Sequence, residues 1–371
     1  MRICHLADSH LGAGENFRRR GSSGLTVRQE DMIHAFEAAV TRIVEIRPDL
    51  CLHAGDLFHQ VRPLNSIMAA AARQLQRLTV EHGIPTVIIN GNHDAPKQPH
   101  VGAPLEVYPK LENLYVASEG RFQSFRIGEV TVHALPHVAN PSHLQKEIAA
   151  FQPDPDARFN VLVAHGVAAG MPEFSMADLG EQELPLDFLD RFDYAALGHF
   201  HNFCKVSDRA WYAGSTERLS QSERESAKGF ALIELDPLKV ELVEVPTREM
   251  VDLNIENAAG KRGDEVAALI RERIAELKAT DKIVRVTVEN VSEETLKTLP
   301  AEEIAGMKEG TFALDVRFRR EQSADKTEQF GRSAIGRLDK SFVEFLDGQD
   351  LTGFDKDRLL KAALGYLEAE E

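Results

Sequence analysis

The first ninety residues alternate two hydrophobic rhythms, and that alternation narrows the possible folds more than any other feature. "RICHLAD", "DLCLHAGD" and "IPTVIING" are short apolar runs that read as strands. Between them, "RQEDMIHAFEAAVTRIVEI" and "NSIMAAAARQLQRLTVEHG" repeat apolar residues every three or four positions, which predicts helices. This βαβαβ opening predicts a layered α/β architecture with right-handed crossovers. Further on, "FQSFRIGEVTVHALP", "FNVLVAHG", "FDYAALGHFH", "RAWYAGS" and "GFALIELD" are strand-like, with little helix expected among them. The second half of the pattern predicts a two-sheet core rather than a plain doubly wound sheet.

A first domain is expected over residues 1–249. Near residue 250 the pattern shifts to helix ("GDEVAALIRERIAELKAT"), strand ("DKIVRVTVEN"), helix ("SEETLKTLPAEEIAGM") and strand ("TFALDVRFRR"). That predicts a small α/β domain over 250–320. The polar "EQSADKTEQ" reads as a linker, and residues 321–371 are expected to hold this linker and two amphipathic helices. Phe330, Leu338, Phe342, Phe345 and Leu346 mark the first helix, and Leu359, Leu360, Leu364 and Leu367 the second.

Composition excludes several classes. The chain has no apolar run of about eighteen residues, so a membrane span is not expected. "MRICHLADSH" lacks the order of a signal peptide, and Cys4, Cys51 and Cys204 have no metal-ligand spacing. Reduced thiols in a cytoplasmic protein are the expectation. A net charge of −16 argues against a protein that coats DNA phosphates with a basic face. It leaves room for an enzyme that grips a phosphodiester through bound cations and a few local arginines.

Five strand-like runs each end in Asp, Asn or His. Asp8 and His10 follow the first, Asp56 the second, and Asn92, His93 and Asp94 the third; His165 ends the fourth, and His199 and His201 the fifth. In open α/β folds the carboxyl edge of the strands is where ligands bind. Gly55, Gly91 and Gly198 stand just before key polar residues and allow a sharp exit from the strand. Carboxylate, amide and imidazole without thiolate suit Mn²⁺ or Fe, with Zn²⁺ also compatible. Two cations about 3.5–4 Å apart are a recurrent device for displacement at phosphorus. Asp56, central in the set, is the natural bridge between them.

The series "DSH", "GDLFH", "GNHD", "AHG" and "GHFH" resembles the five motifs of the calcineurin-like metallophosphoesterases. "HLADSHLG", "RQEDMIHAFEAAV", "HAGDLFHQVRP", "ALGHFHN", "YAGSTERLSQSE" and "KGFALIELD" resemble, within that superfamily, the DNA double-strand-break repair nucleases. These are the nuclease subunit of the SbcCD complex and its archaeal and eukaryotic counterparts. The resemblance covers residues 1 to 245 well and the rest only in layout. It implies a β-sandwich core flanked by helices, with a small α/β cap domain and C-terminal helices. It also implies Asp8, His10, Asp56 and His201 around one metal, and Asp56, Asn92, His165 and His199 around the second. His93 corresponds to the catalytic histidine and His59 to a residue that supports it, while Asp94 reads as a turn residue. The implied reaction is hydrolysis of DNA, as exonuclease or endonuclease, by a hydroxide that the two metals activate. The implied cofactors are two divalent ions, Mn²⁺ first, with Fe, Mg²⁺ or Zn²⁺ as alternatives. The implied partners are DNA, a coiled-coil ABC-type ATPase on the C-terminal helices, and a second copy of the chain through the Ala-rich helix at 65–82.

Arg18, Arg19 and Arg20 lie in a loop shortly after Asp8 and His10, and Arg62 lies in "FHQVRP". All four are candidates for the DNA backbone, because guanidinium groups bind phosphate in a bidentate manner. The competing reading is another metallophosphoesterase, such as a cyclic-nucleotide or small-molecule phosphodiesterase. A subunit with a vestigial metal site is opposed by the complete ligand set, and a phosphoprotein phosphatase by the wording around "GNHD" and "LFHQVRP".

Overall fold

The computed structural model describes residues 1–17, 19–108, 111–169 and 182–320. Arg18 and the linker and helix pair expected over 321–371 lie outside the described residues. The chain divides into two compact units. One comprises Met1–Asp252, Lys278–Arg285 and Lys308–Leu314; the other comprises Leu253–Leu277, Val286–Met307 and the chain from Asp315.

The first unit begins β1 (Arg2–Leu6), α1 (Val27–Ile46), β2 (Leu50–His53), α2 (Asn65–Gln76), β3 (Thr86–Ile89) and β4 (Leu114–Ala117). Next come β5 (Gln123–Ile127), β6 (Val130–Leu135), α3 (Pro141–Ala150), β7 (Phe159–His165), β8 (Val167–Ala168), β9 (Glu183–Leu184) and α4 (Leu186–Leu189). β10 (Tyr194–Gly198), β11 (Cys204–Lys205), β12 (Ala210–Tyr212), β13 (Gly229–Leu235) and β14 (Leu238–Glu244) follow. One six-stranded sheet has the order β14-β13-β1-β2-β3-β4 and the other β11-β12-β10-β7-β6-β5. β1, β2 and β3 are parallel neighbours, as are β7 and β10, so their carboxyl ends lie side by side within each sheet.

Alternation along β1 explains the layers. Ile3 and Ala7 join a core shared with Val130, Val132, Val161, Val163 and Tyr194 of the other sheet. Cys4 and Leu6 point the opposite way, into a core with Met32, Phe36, Val40 and Ile43 of α1 and Ile67, Ala71 and Leu75 of α2. The second sheet repeats the scheme, with Leu162, Ala164 and Leu197 against Leu144 of α3 and Phe188 and Leu189 of α4. The result is a helix/sheet/sheet/helix stack, the two-sheet core that the sequence pattern predicts. No helix among the described residues is long and apolar enough to cross a membrane.

Three local expectations change. α3 interrupts a stretch expected to hold little helix. Asn140 starts it by accepting from the Ser142 and His143 amides (3.0 and 3.2 Å), and Pro141 preorganises its first turn. Only Leu144 of α3 is fully buried, so its apolar periodicity is faint. The second expected helix is regular only to Gln76; Arg77–Glu81 continue it as a wider π-turn.

Later elements are β15 (Met250–Ile255), α5 (Gly263–Glu276), β16 (Ile283–Val291), α6 (Glu293–Lys297), α7 (Ala301–Met307) and β17 (Ala313–Arg320), with the strands paired in the order β15-β16-β17. The third change falls here, where one expected helix becomes α6 and α7. Pro300, with no N–H and a ring that clashes one turn back, divides them. In the second unit, Val266, Ala267, Ile270 and Ile274 form the buried stripe of α5, and Val286 and Val288 of β16 are fully buried.

Candidate metal centre

The polar residues at the strand ends sit on backbone that few side chains adopt. Asp8 (φ 50°), His10 (φ 42°), Asp56 (φ 53°) and His199 (φ 107°) all have positive φ, which costs non-glycine residues of order 1–3 kcal/mol each. The Gly55 carbonyl accepts the Asp8 amide (3.1 Å) and the Asp56 carbonyl accepts the His10 amide (3.0 Å), tying the ends of β1 and β2 together. Gly91 and Gly198 are needed for close approach. A Cβ at Gly91 would fall on the Asp56 carboxylate, and one at Gly198 on the Ala54 carbonyl.

The side chains converge. Asp8, His10 and His201 form one group whose donor atoms lie within 4.8 Å of one another, and Asp8, Asp56 and His165 form another. Asp56 Oδ2 is 3.5 Å from both His10 Nε2 and His165 Nε2, so this carboxylate lies between the two sets. Asn92 Oδ1 lies 2.9 Å from His165 Nε2 and 3.3 Å from His199 Nδ1. The seven residues expected as metal ligands are thus brought together from the ends of β1, β2, β3, β7 and β10.

Their chemistry fits cations. His165 Nδ1 donates to the Ala54 carbonyl (2.8 Å), which leaves a lone pair on Nε2. Burial and neighbouring histidines hold the His165 pKa well below the usual range, so that lone pair is unprotonated at neutral pH. It faces the Asn92 oxygen, another acceptor, and two acceptors at that distance repel unless a cation takes both lone pairs. His10 Nε2 and His201 Nε2 are likewise only 3.2 Å apart, and burial, with the neighbouring histidines, lowers the His10 pKa strongly. Ligands on one ion with bonds of about 2.1 Å stand about 3 Å from each other, the spacing found here. Burial raises the Asp8 pKa, an effect the His201 charge and the His199 amide oppose and a bound cation would reverse.

His93 and His59 stand together at the edge of this set. Their rings stack at 5.1 Å between centroids, and His93 Nδ1 donates to the His59 carbonyl (3.1 Å). The His93 amide donates to Asp56 Oδ1 (2.9 Å), while its side chain is exposed. His10 also packs edge-on against both rings, with centroids at 4.8 and 5.3 Å. Asp94 faces inward, where it accepts from the Gly91 (2.8 Å) and Phe58 (3.3 Å) amides and closes the turn. Burial raises its pKa to about 7.

Two of the described arginines meet neighbours within the chain. Arg20 donates to the Gly24 carbonyl (2.7 Å), Arg19 lies 5.7 Å from the Phe312 ring, and Arg62 is exposed. Residue-by-residue reading missed Glu223 and Lys228. Glu223 Oε1 accepts from His201 Nδ1 (3.1 Å), and Glu223 Oε2 accepts from Lys228 Nζ (2.6 Å). Burial opposes charge on His201, but the Glu223 hydrogen bond and the Asp8 and Glu223 carboxylates outweigh it and raise its pKa. No motif spacing links residues 22 positions apart; the one available signal was an acidic residue inside "YAGSTERLSQSE".

Over 334 residues the chain is 30% identical to the DNA double-strand break repair protein Mre11 of Haloferax volcanii, a match covering 87% of this chain and 69% of that protein. The protein of the same name from Methanopyrus kandleri is 28% identical over 355 residues, 88% of this chain and 73% of its own. That of Methanocaldococcus jannaschii is 28% identical over 276 residues, 69% of this chain and 70% of its own. Residues 1–203 match the calcineurin-like phosphoesterases, and this match holds all the residues that converge on Asp56. On these findings the chain belongs to the calcineurin-like phosphoesterase family and is a metal-dependent hydrolase of phosphate esters.

Proposed function

We propose that the chain is a DNA nuclease, acting as exonuclease or endonuclease on phosphodiester bonds in double-strand-break repair. The opposed lone pairs of His165 and Asn92 carry the metal part of this reading, and the repair proteins it is similar to carry the choice of DNA. Asp8, His10, Asp56 and His201 are the ligands for one divalent ion, and Asp56, Asn92, His165 and His199 for the second. Mn²⁺ is the preferred identity, since the donors are oxygen and imidazole nitrogen without sulfur. When bound, such ions neutralise phosphoryl charge and lower the pKa of water.

The chain's own residues do the rest. Asp56 holds both sets in register through its carboxylate and anchors the His93 amide. His93 commits its Nδ1 proton to the His59 carbonyl and presents Nε2, and a proton carried on Nε2 passes to the leaving oxygen or stabilises its charge. His59 backs that ring by stacking on it. Arg18, Arg19, Arg20 and Arg62 contact the DNA backbone. Residues 1–249 form the nuclease domain, 250–320 the cap, and 321–371 the segment that docks a coiled-coil ABC-type ATPase. A homodimer is part of the reading, through the helix at 65–82.

The test is cleavage of end-labelled linear and hairpin DNA with Mn²⁺, run beside a cyclic nucleotide. Cleavage of DNA with the cyclic nucleotide left intact supports the nuclease. Turnover of the small substrate alone replaces it with a small-molecule phosphodiesterase.

A further inference from the structure

We propose that Glu223 is the positioning residue for His201: its carboxylate fixes the ring as the Nδ1–H tautomer, so that Nε2 offers its lone pair beside His10. The inference rests on the metal reading above and goes beyond it by assigning a role to a residue outside the proposed ligand and catalytic set. Imidazole can carry its proton on either nitrogen, and the partner of the distal nitrogen decides which. Glu223 Oε1 lies 3.1 Å from His201 Nδ1, and an ionised carboxylate can only accept.

Glu223 is itself held rigidly. Its Oε2 accepts from Lys228 Nζ (2.6 Å) and the Leu219 amide (3.2 Å), and its Oε1 also accepts from Ser220 Oγ (3.2 Å). The Lys228 side chain is fully buried and uses all three donors, the others reaching the His201 carbonyl (2.7 Å) and Ser215 Oγ (3.0 Å). Ring and backbone of His201 are therefore fastened to one buried ion pair. A merely structural pair would need one carboxylate oxygen; here the second oxygen goes to the imidazole. The His201 side chain is 29% exposed, so packing alone does not fix its orientation. His165 is oriented instead by a neutral carbonyl, that of Ala54 (2.8 Å). An anionic partner makes His201 the stronger donor toward an ion beside Asp8 and His10.

Glu223→Gln tests this without changing size. Lys228 still requires an acceptor, so the new amide turns its oxygen to Lys228 and its NH₂ to His201 Nδ1. The ring must then move its proton to Nε2. Long-range ¹H–¹⁵N correlation spectra of the metal-free chain, in alkaline buffer where the ring is neutral, read the tautomer. Mn²⁺ titration calorimetry reads the consequence. Wild type should show Nδ1–H, and E223Q should show Nε2–H with one Mn²⁺ bound about 10- to 100-fold more weakly and the other unchanged. K228M should keep the wild-type tautomer. The E223Q/K228M pair frees the amide oxygen for His201 and should recover the tautomer and part of the affinity. A wild-type Nε2–H tautomer, unchanged Mn²⁺ binding in E223Q, or an equal loss in K228M would each overturn the assignment. Failure of the metal reading looks different, since wild type itself would then bind no Mn²⁺.

Discussion

Asn92 and His93 are chain neighbours with opposite surroundings. The Asn92 oxygen faces His165 and His199, whereas the His93 ring is exposed and stacked on His59. The turn that divides them depends on Gly91, where an added methyl would meet the Asp56 carboxylate and lie 2.7 Å from its backbone nitrogen. Gly91→Ala should therefore abolish Mn²⁺ binding in calorimetry while leaving the far-ultraviolet circular dichroism of the fold in place; undiminished Mn²⁺ affinity would contradict the geometry. The converging residues were legible because each ends a strand-like run, and parallel strands side by side present their ends together. Glu223 and Lys228 were not, because their contact with His201 depends on how a loop folds back, and no local periodicity records that. Asp94 closes the turn, and Asn90 Nδ2 donates to its carbonyl (3.3 Å).

Elements met the sequence pattern where they are amphipathic and departed from it where one residue decides. α1 has a capping box, Thr26 with Gln29, and a buried stripe of Met32, Phe36, Val40 and Ile43, all visible as spacing. α3 depends on Asn140 and Pro141, and the α6–α7 break on Pro300; these single residues carry less signal than a stripe. Between the sheets, His5 Nδ1 meets the Tyr194 hydroxyl at 2.9 Å in a fully buried setting. Burial pushes the His5 and His53 pKa values down to about 3, so both are neutral in the folded protein and take up protons on unfolding. Their depressed values mean that stability is fully present above the ordinary pKa near 6.5 and is lost as pH falls from there toward about 3. His5→Gln should make the slope of unfolding free energy between pH 6 and 4 shallower by about 1.4 kcal/mol per pH unit. Denaturant melts across that range measure it, and an unchanged slope would contradict a neutral buried His5. Asp31 of α1 ties Arg28 (3.1 Å) to Arg248 (2.6 Å) in a mostly buried cluster. Asp31→Ala removes the carboxylate facing Arg248 and leaves Arg28 with Glu217 (3.4 Å), and should cost about 3 kcal/mol in chemical denaturation; a loss under about 1 kcal/mol would place the pair among weak surface bridges.

For the whole molecule, the net charge of −16 and the buried, mutually lowered histidines point the same way. In the proposed function, phosphate is held by bound cations rather than by a broad basic face. Binding of Mn²⁺ to the folded state alone should raise the thermal midpoint, by about 2.7 kcal/mol of stability at a hundred times Kd, and a chelator should reverse it. No shift in differential scanning calorimetry would argue against a preformed centre. Layer order and strand-end chemistry were readable because both repeat along the chain, whereas the grouping of Lys278–Arg285 and Lys308–Leu314 with Met1–Asp252 rests on contacts distant in sequence. In the proposed function, metal binding and bond cleavage belong to different neighbours in one turn, Asn92 and His93. The direct measurement is His93→Ala, assayed together for Mn²⁺ stoichiometry and for cleavage of linear DNA. The predicted result is two Mn²⁺ bound as in wild type, with cleavage slowed by about 10²- to 10⁴-fold. Undiminished cleavage would contradict the account.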